Sequence, residues 1–127
     1  PLAVKTKINI EELRQFPFIL TEGTTGKMVK ELFKQSNFEQ DIRYNNVQIM
    51  SMLSMVSSGA GVSITAELAI PSDLKGKAGS YLIKPMLPVV KREIGLAMQN
   101  IHHLSPAAAA FVKMASTLER AGKLKPQ

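Results

Sequence analysis

What most limits the folds open to this chain is an alternation: short apolar runs keep giving way to segments whose apolar residues recur at helical spacing. Phe16 to Leu20 is one such run and reads as a buried strand. Beyond it, Met28, Val29, Leu32 and Phe33 fall on one helical face, while Lys27, Lys30, Glu31 and Lys34 fall on the other. Ile42 to Tyr44 reads as a second strand, and Val47 to Ser58 as a helix apolar on most sides and therefore buried. Gly59-Ala60-Gly61 stops that helix, and Val62 to Thr65 resumes with a period of two. Strand, helix, strand, helix, strand is the order of an α/β domain with a mainly parallel sheet.

The remaining segments fill out that frame. Ile8 to Arg14 reads as a short helix or turn, and Ala66 to Ile70 as a short helix ended by Pro71. Residues 72 to 80, with Lys75-Gly76-Lys77 and Gly79, form the most loop-like stretch. Tyr81 to Met86 and Glu93 to Met98 read as strands. Ser105 is placed to cap a last helix whose first position is Pro106, with Phe111, Met114, Ala115 and Leu118 along one side.

Bulk properties narrow the function classes. A chain of 127 residues buries roughly 65–70% of its unfolded surface, enough for a real core. With 45% hydrophobic and 20% charged residues, the composition is that of a folded domain. The absence of cysteine removes a disulfide framework and a thiolate metal site and agrees with a reducing cytoplasm. No run is long and apolar enough to span a membrane, and no basic segment leads into an apolar one at the amino end. Since the chain opens on Pro1, it is expected to be part of a longer protein.

The net charge of +6 suggests nucleic acid, but the bases are dispersed from Lys5 to Lys125 and no aromatic residues are interleaved for base stacking. A solvated surface is the better reading.

The stretch TEGTTGKM, residues 21 to 28, carries the chemistry. It is not a nucleotide-binding P-loop: Gly23 and Gly26 enclose two residues where four are needed, and Met28 follows Lys27 where a hydroxyl residue should stand. A turn from a strand end into a helix remains, where free N–H groups and the helix dipole favour an anion and Thr24 and Thr25 add hydroxyls. Simple capping by one of the threonines is the alternative. Asn45-Asn46-Val47-Gln48 offers a second strand-to-helix turn, with Gln48 three residues after Asn45 as in a capping box. If the two strands are neighbours, both helix starts face one sheet edge and can share a polar ligand.

Two other motifs fail. Gly59-Ala60-Gly61 follows a helix and precedes a strand, the reverse of a dinucleotide turn. Adjacent His102 and His103 point apart on a helix and have no partner carboxylate or nucleophile at a telling spacing. Without an acid/base or nucleophilic grouping, the chain reads as a non-enzyme.

The succession FPFIL, EGTTG, a helix ending in LF, SSGAGVSI and HLSPAAAAFV resembles the effector-binding domain of bacterial LysR-type transcriptional regulators, over about Ile8 to Leu118. The resemblance implies a type-II periplasmic-binding-protein-like lobe, with residues 1–98 as the second lobe of a two-lobed domain and 99–127 as the return and closing helix that packs on the first. It also implies a cytoplasmic homo-oligomer that touches promoter DNA through a separate N-terminal domain and senses a small, anionic effector in the interlobe cleft, without a cofactor. Carried over by position, the cleft wall is Glu22, Gly23, Thr24, Thr25 and Gly26, joined by Asn45, Asn46 and the strand end around Thr65. The family usually has a proline after the strand that follows Gly-x-Gly, where this chain has Thr65-Ala66. A solute-binding lobe of a transport system, which shares the architecture, and a basic nucleic-acid-binding module are the alternatives.

Overall fold

The structure, a computed structural model, describes residues 2–72 and 81–120. The chain divides into two compact units, Pro1–Val90 and Lys91–Gln127. In the first, the strands are β1 (Ile8–Asn9), β2 (Phe18–Thr21), β3 (Ile42–Val47) and β4 (Met86–Leu87), and the helices are α1 (Gly23–Gln35) and α2 (Ile49–Ser57). Short 3-10 segments cover Leu2–Val4, Ile10–Gln15 and Glu67–Ala69. β1 pairs in parallel with β4, and β2 in parallel with β3.

Strand β2 lies at the centre because all four of its residues are buried and successive side chains point to opposite faces. Phe18 and Leu20 join Ile10, Leu13, Val29, Leu32, Phe33 and Phe38 on the α1 side. Ile19 joins Met52 and Leu53 of α2 on the other. The helical face read at Val29, Leu32 and Phe33 is the buried face of α1. Phe33 meets Phe18 edge-on, with ring centroids 4.9 Å apart, and Phe38 at 5.5 Å. The Arg14 guanidinium covers the Phe38 ring at 4.6 Å. Ahead of this core, a hydrogen bond from Lys5 and another from the Asn9 N–H hold the Glu12 carboxyl below its usual range.

Several sequence expectations shift. The strand expected from Phe16 begins at Phe18 and runs through Thr21. Helix α1 opens at Gly23, so the Thr-Thr-Gly that read as a loop forms its first turns. Asn45 and Asn46, expected to cap a helix, lie inside β3, and Gln48 is the N-cap residue of α2. The cause is a bulge. Ile19 and Thr21 on β2 face Tyr44 and Val47 on β3, two steps against three, and the extra residue is absorbed where Asn46 turns to a φ of +54°. Asparagine tolerates that backbone better than most residues, and the Asn45 Oδ1 accepts from the Asn46 N–H at 2.9 Å.

Helix α2 is less buried than its composition suggests: Met52 and Leu53 are inside, whereas Met50 is 55% exposed. It ends on a two-bond cap, with the Gly59 N–H donating to the Val56 carbonyl and the Ala60 N–H to the Met55 carbonyl, both at 3.0 Å. Gly59 takes the φ of +81° this cap requires. Of the strand expected over Val62 to Thr65, only an isolated parallel bridge between Val62 and Phe18 forms. Gly61 is what allows it, since a Cβ there would lie 2.4 Å from the Pro17 carbonyl oxygen. Of Tyr81 to Met86, only Met86 is in a strand. The loop expected over residues 72 to 80 lies, after Ser72, outside the described residues.

In the second unit, residues 93 to 98 form no strand. A 3-10 turn, Ile101–His103, is capped by the Asn100 side chain, which accepts from the His102 N–H at 2.9 Å. Helix α3 (Pro106–Arg120) starts where the sequence places it, and the Ser105 Oγ accepts from the Ala108 N–H at 3.2 Å. None of its residues is buried.

Candidate functional site

β2 and β3 run in the same direction as neighbours, so the helices that follow them begin side by side at one sheet edge. The Glu22 N–H donates to the Val47 carbonyl at 3.1 Å and ties the two strand ends together. Between the amino ends of α1 and α2 lies a concavity of about 350 Å³, lined by Thr21, Glu22, Thr25, Val47, Gln48, Ile49 and Met50.

Each helix brings the positive end of its dipole to this place. The N-cap residues are Glu22 for α1 and Gln48 for α2, and neither side chain makes a capping hydrogen bond. Neither threonine is thus the N-cap residue of α1. Thr21, the last residue of β2, is 5% exposed, and its hydroxyl has no hydrogen-bond partner. A hydroxyl removed from water without a partner is costly, and such groups in native proteins are uncommon. The opposite wall, from Val47, Ile49 and Met50, is apolar.

The residues singled out by sequence distribute themselves unevenly around the concavity. Glu22 and Thr25 line it. Gly23 and Thr24 sit in the first turn of α1, with Gly23 at a φ of +75°. Gly26 is buried behind them, where a Cβ would lie 2.0 Å from the Thr21 carbonyl oxygen. Asn45 and Asn46 are exposed in β3, just ahead of the lining residue Val47. Thr65 is half-buried after the Val62 bridge, its hydroxyl also without a partner. Nearby in sequence, the Ser63 Oγ donates to the Ile19 carbonyl at 2.7 Å.

Ile49 and Met50 carried no signal of their own in the sequence, whereas Thr21 and Gln48 stood in the two strand-to-helix turns without being named among the cleft-wall residues. Met50 differs from the buried Met52 of the same helix in being exposed beside the helix start.

A second concavity, lined by Gln99, Asn100, His103 and Leu104, has exposed or half-buried walls. Among the described residues, no group of three or more His, Asp or Glu side chains is placed to hold a metal ion. No helix among them is long and apolar enough to cross a membrane.

The family model of the LysR substrate binding domain matches residues 1–118. An uncharacterized HTH-type transcriptional regulator of Bacillus subtilis (strain 168), YvbU, is 25% identical over 118 residues, covering 93% of this chain and 40% of the relative. Another, YbhD of Escherichia coli (strain K12), is 26% identical over 114 residues, covering 87% of this chain and 35% of the relative. The chain thus spans about two fifths of these curated relatives or less. No solved structure matches it significantly. A parallel α/β unit with two helix starts meeting at one sheet edge, together with a family match along nearly the whole sequence, means that the chain belongs to the LysR substrate-binding-domain family.

Proposed function

We propose that this chain is the effector-sensing part of a LysR-type transcriptional regulator, and that a small molecule carrying an anionic group binds at the paired amino ends of α1 and α2. One observation carries the reading: both helix starts, uncapped by their N-cap side chains, open on a single concavity beside the unpartnered hydroxyl of buried Thr21. Backbone N–H groups at such ends hold anions through both hydrogen bonding and the dipole. Thr21 and Thr25 supply hydroxyl donors, Gly23 and Thr24 the backbone of the first turn, and Asn45, Asn46 and Thr65 the surrounding rim. In this reading residues 1–98 are the second lobe of a type-II periplasmic-binding-protein-like domain. Effector binding changes the orientation of the lobes, and a cytoplasmic homo-oligomer transmits the change to promoter DNA held by a separate N-terminal domain.

Thr25→Val keeps the side-chain shape and removes the hydroxyl. In the complete regulator it is expected to weaken effector binding about tenfold, near the low end for a hydrogen bond to a charged group, while binding to promoter DNA is unchanged. Calorimetry and gel-shift titration measure the two quantities. An unaltered effector affinity would remove the site from this edge.

The same reading makes residues 99–127 a return segment whose helix packs on the first lobe. What supports it is the apolar side of α3, where Phe111 and Met114 are 55% and 57% exposed. The amides of α3 should exchange with solvent at least tenfold more slowly in the complete protein than in the 127-residue chain. Equal exchange rates in the two would contradict the packing.

A further inference from the structure

The concavity has an asymmetry of charge. Of the seven residues that line it, Glu22 is the one with an ionisable side chain, and no lysine or arginine is among them. Lys27 and Lys30 lie on the exposed side of α1 and do not reach the lining. Glu22 is exposed, makes no capping hydrogen bond, and among the described residues has no ion-pair partner. Its full negative charge therefore stands at the amino end of α1, beside the partial positive charge of the dipole. A ligand that is simply anionic gains from two helix ends and a buried hydroxyl, but is repelled by a carboxylate on the same rim. A ligand with a positive group next to its anionic one turns that repulsion into attraction. The third wall, Val47, Ile49 and Met50, presents apolar surface, and methionine adapts to irregular shapes.

Resting on the effector reading of this site, we infer that the molecule held by this wall is a zwitterion of the aliphatic amino-acid type. Its carboxylate lies against the amino ends of α1 and α2 and the Thr21 hydroxyl, its ammonium against the Glu22 carboxylate, and its side chain on Val47, Ile49 and Met50. A space of about 350 Å³ suits a molecule of that size. The buried, unpartnered Thr21 hydroxyl is the group that an incoming carboxylate would satisfy.

The test uses the complete regulator and three probes of one carbon skeleton: L-leucine, 4-methylpentanoate, which lacks the ammonium, and 3-methylbutylamine, which lacks the carboxylate. By calorimetry, L-leucine should bind at least tenfold more tightly than either of the others. Glu22→Gln should bring L-leucine and 4-methylpentanoate to within about threefold of each other. Since Glu22 makes no capping bond, α1 should stay folded despite the loss of this charge beside its dipole, as circular dichroism checks. The inference is overturned if 4-methylpentanoate binds as tightly as L-leucine, if the preference survives Glu22→Gln, or if none of the three binds. The first two outcomes leave the effector site standing. That site falls only if Thr25→Val leaves the binding of every recognised probe, or of the natural effector, unaltered.

Discussion

Phe18→Ala should lower the unfolding free energy of the Pro1–Val90 unit by about 3–5 kcal/mol, the range for removing a fully buried phenylalanine side chain. Phe18 has no exposed surface and belongs to the larger core cluster. It meets Phe33 edge-on, and its backbone joins three segments: its N–H donates to the Asp41 carbonyl at 2.8 Å, it faces Ile42 on β3, and it bridges Val62. That backbone is held from both sides and cannot move inward to fill the space left by the ring, so the loss includes a cavity as well as the transfer of the ring to water. A domain with a total stability of about 5–15 kcal/mol has little margin for such a change. Phe38, at the edge of the same cluster and covered by Arg14, should cost less when truncated. Urea titrations followed by circular dichroism would rank the two variants, and a loss below about 1 kcal/mol for Phe18→Ala would mean that the core collapses freely.

Gly26→Val is expected to cost about 3 kcal/mol by overpacking, even though valine is a better helix former than glycine by a few tenths of a kcal/mol. The steric effect wins because the obstacle is backbone. A Cβ on residue 26 would sit 2.0 Å from the Thr21 carbonyl oxygen and 3.1 Å from its carbon, at the carboxyl end of β2 where no rotamer can relieve the contact. Helix α1 must move away from the strand, and Thr21 and Thr25 lie on the two sides of that gap as part of the concavity. On the proposed reading, effector affinity in the complete regulator should therefore fall together with stability. Gly23→Ala is the control: a Cβ there meets nothing within 4 Å, so only the φ of +75° opposes it, a cost of about 1–2 kcal/mol. If both substitutions proved equally mild, close contact of α1 with β2 would not be what Gly26 provides.

These two positions illustrate what can be read locally. The apolar spacing of Val29, Leu32 and Phe33 identified the buried side of α1, and Ser105-Pro106 marked the start of α3, because both signals arise within one or two turns of chain. Glu22 and Thr25 line the concavity and stand in a helix entry with hydroxyls and glycines, which is a local pattern. The strand readings did less well. Val62 to Thr65 alternates as a strand should, yet only Val62 finds a partner, and Glu93 to Met98 forms no strand. A strand consists of its hydrogen bonds to another segment, and alternation in one segment carries no information about where the other lies.

Asn45 and Asn46 show the limit most sharply. The pair has the composition of a helix cap, and the same tolerance of a left-handed backbone that suits a cap also suits a bulge. Counting residues between β2 and β3 decides between them, and that count exists only once the strands are paired.

Local spacing was therefore sufficient for the α/β character of the chain, the inner face of α1, the beginning of α3 and the polar entry at Glu22 to Gly26. Pairing between distant segments settled the rest: that β2 and β3 are parallel neighbours, that α1 and α2 begin at the same edge, and that Thr21, Gln48 and Met50 share a concavity with Glu22 and Thr25. The physical reason is one of range. Helix periodicity and turn chemistry come from hydrogen bonds and sterics among near neighbours. The concavity instead needs Thr21 and Val47, far apart in sequence, to be brought together by a ladder of backbone hydrogen bonds over a shared core.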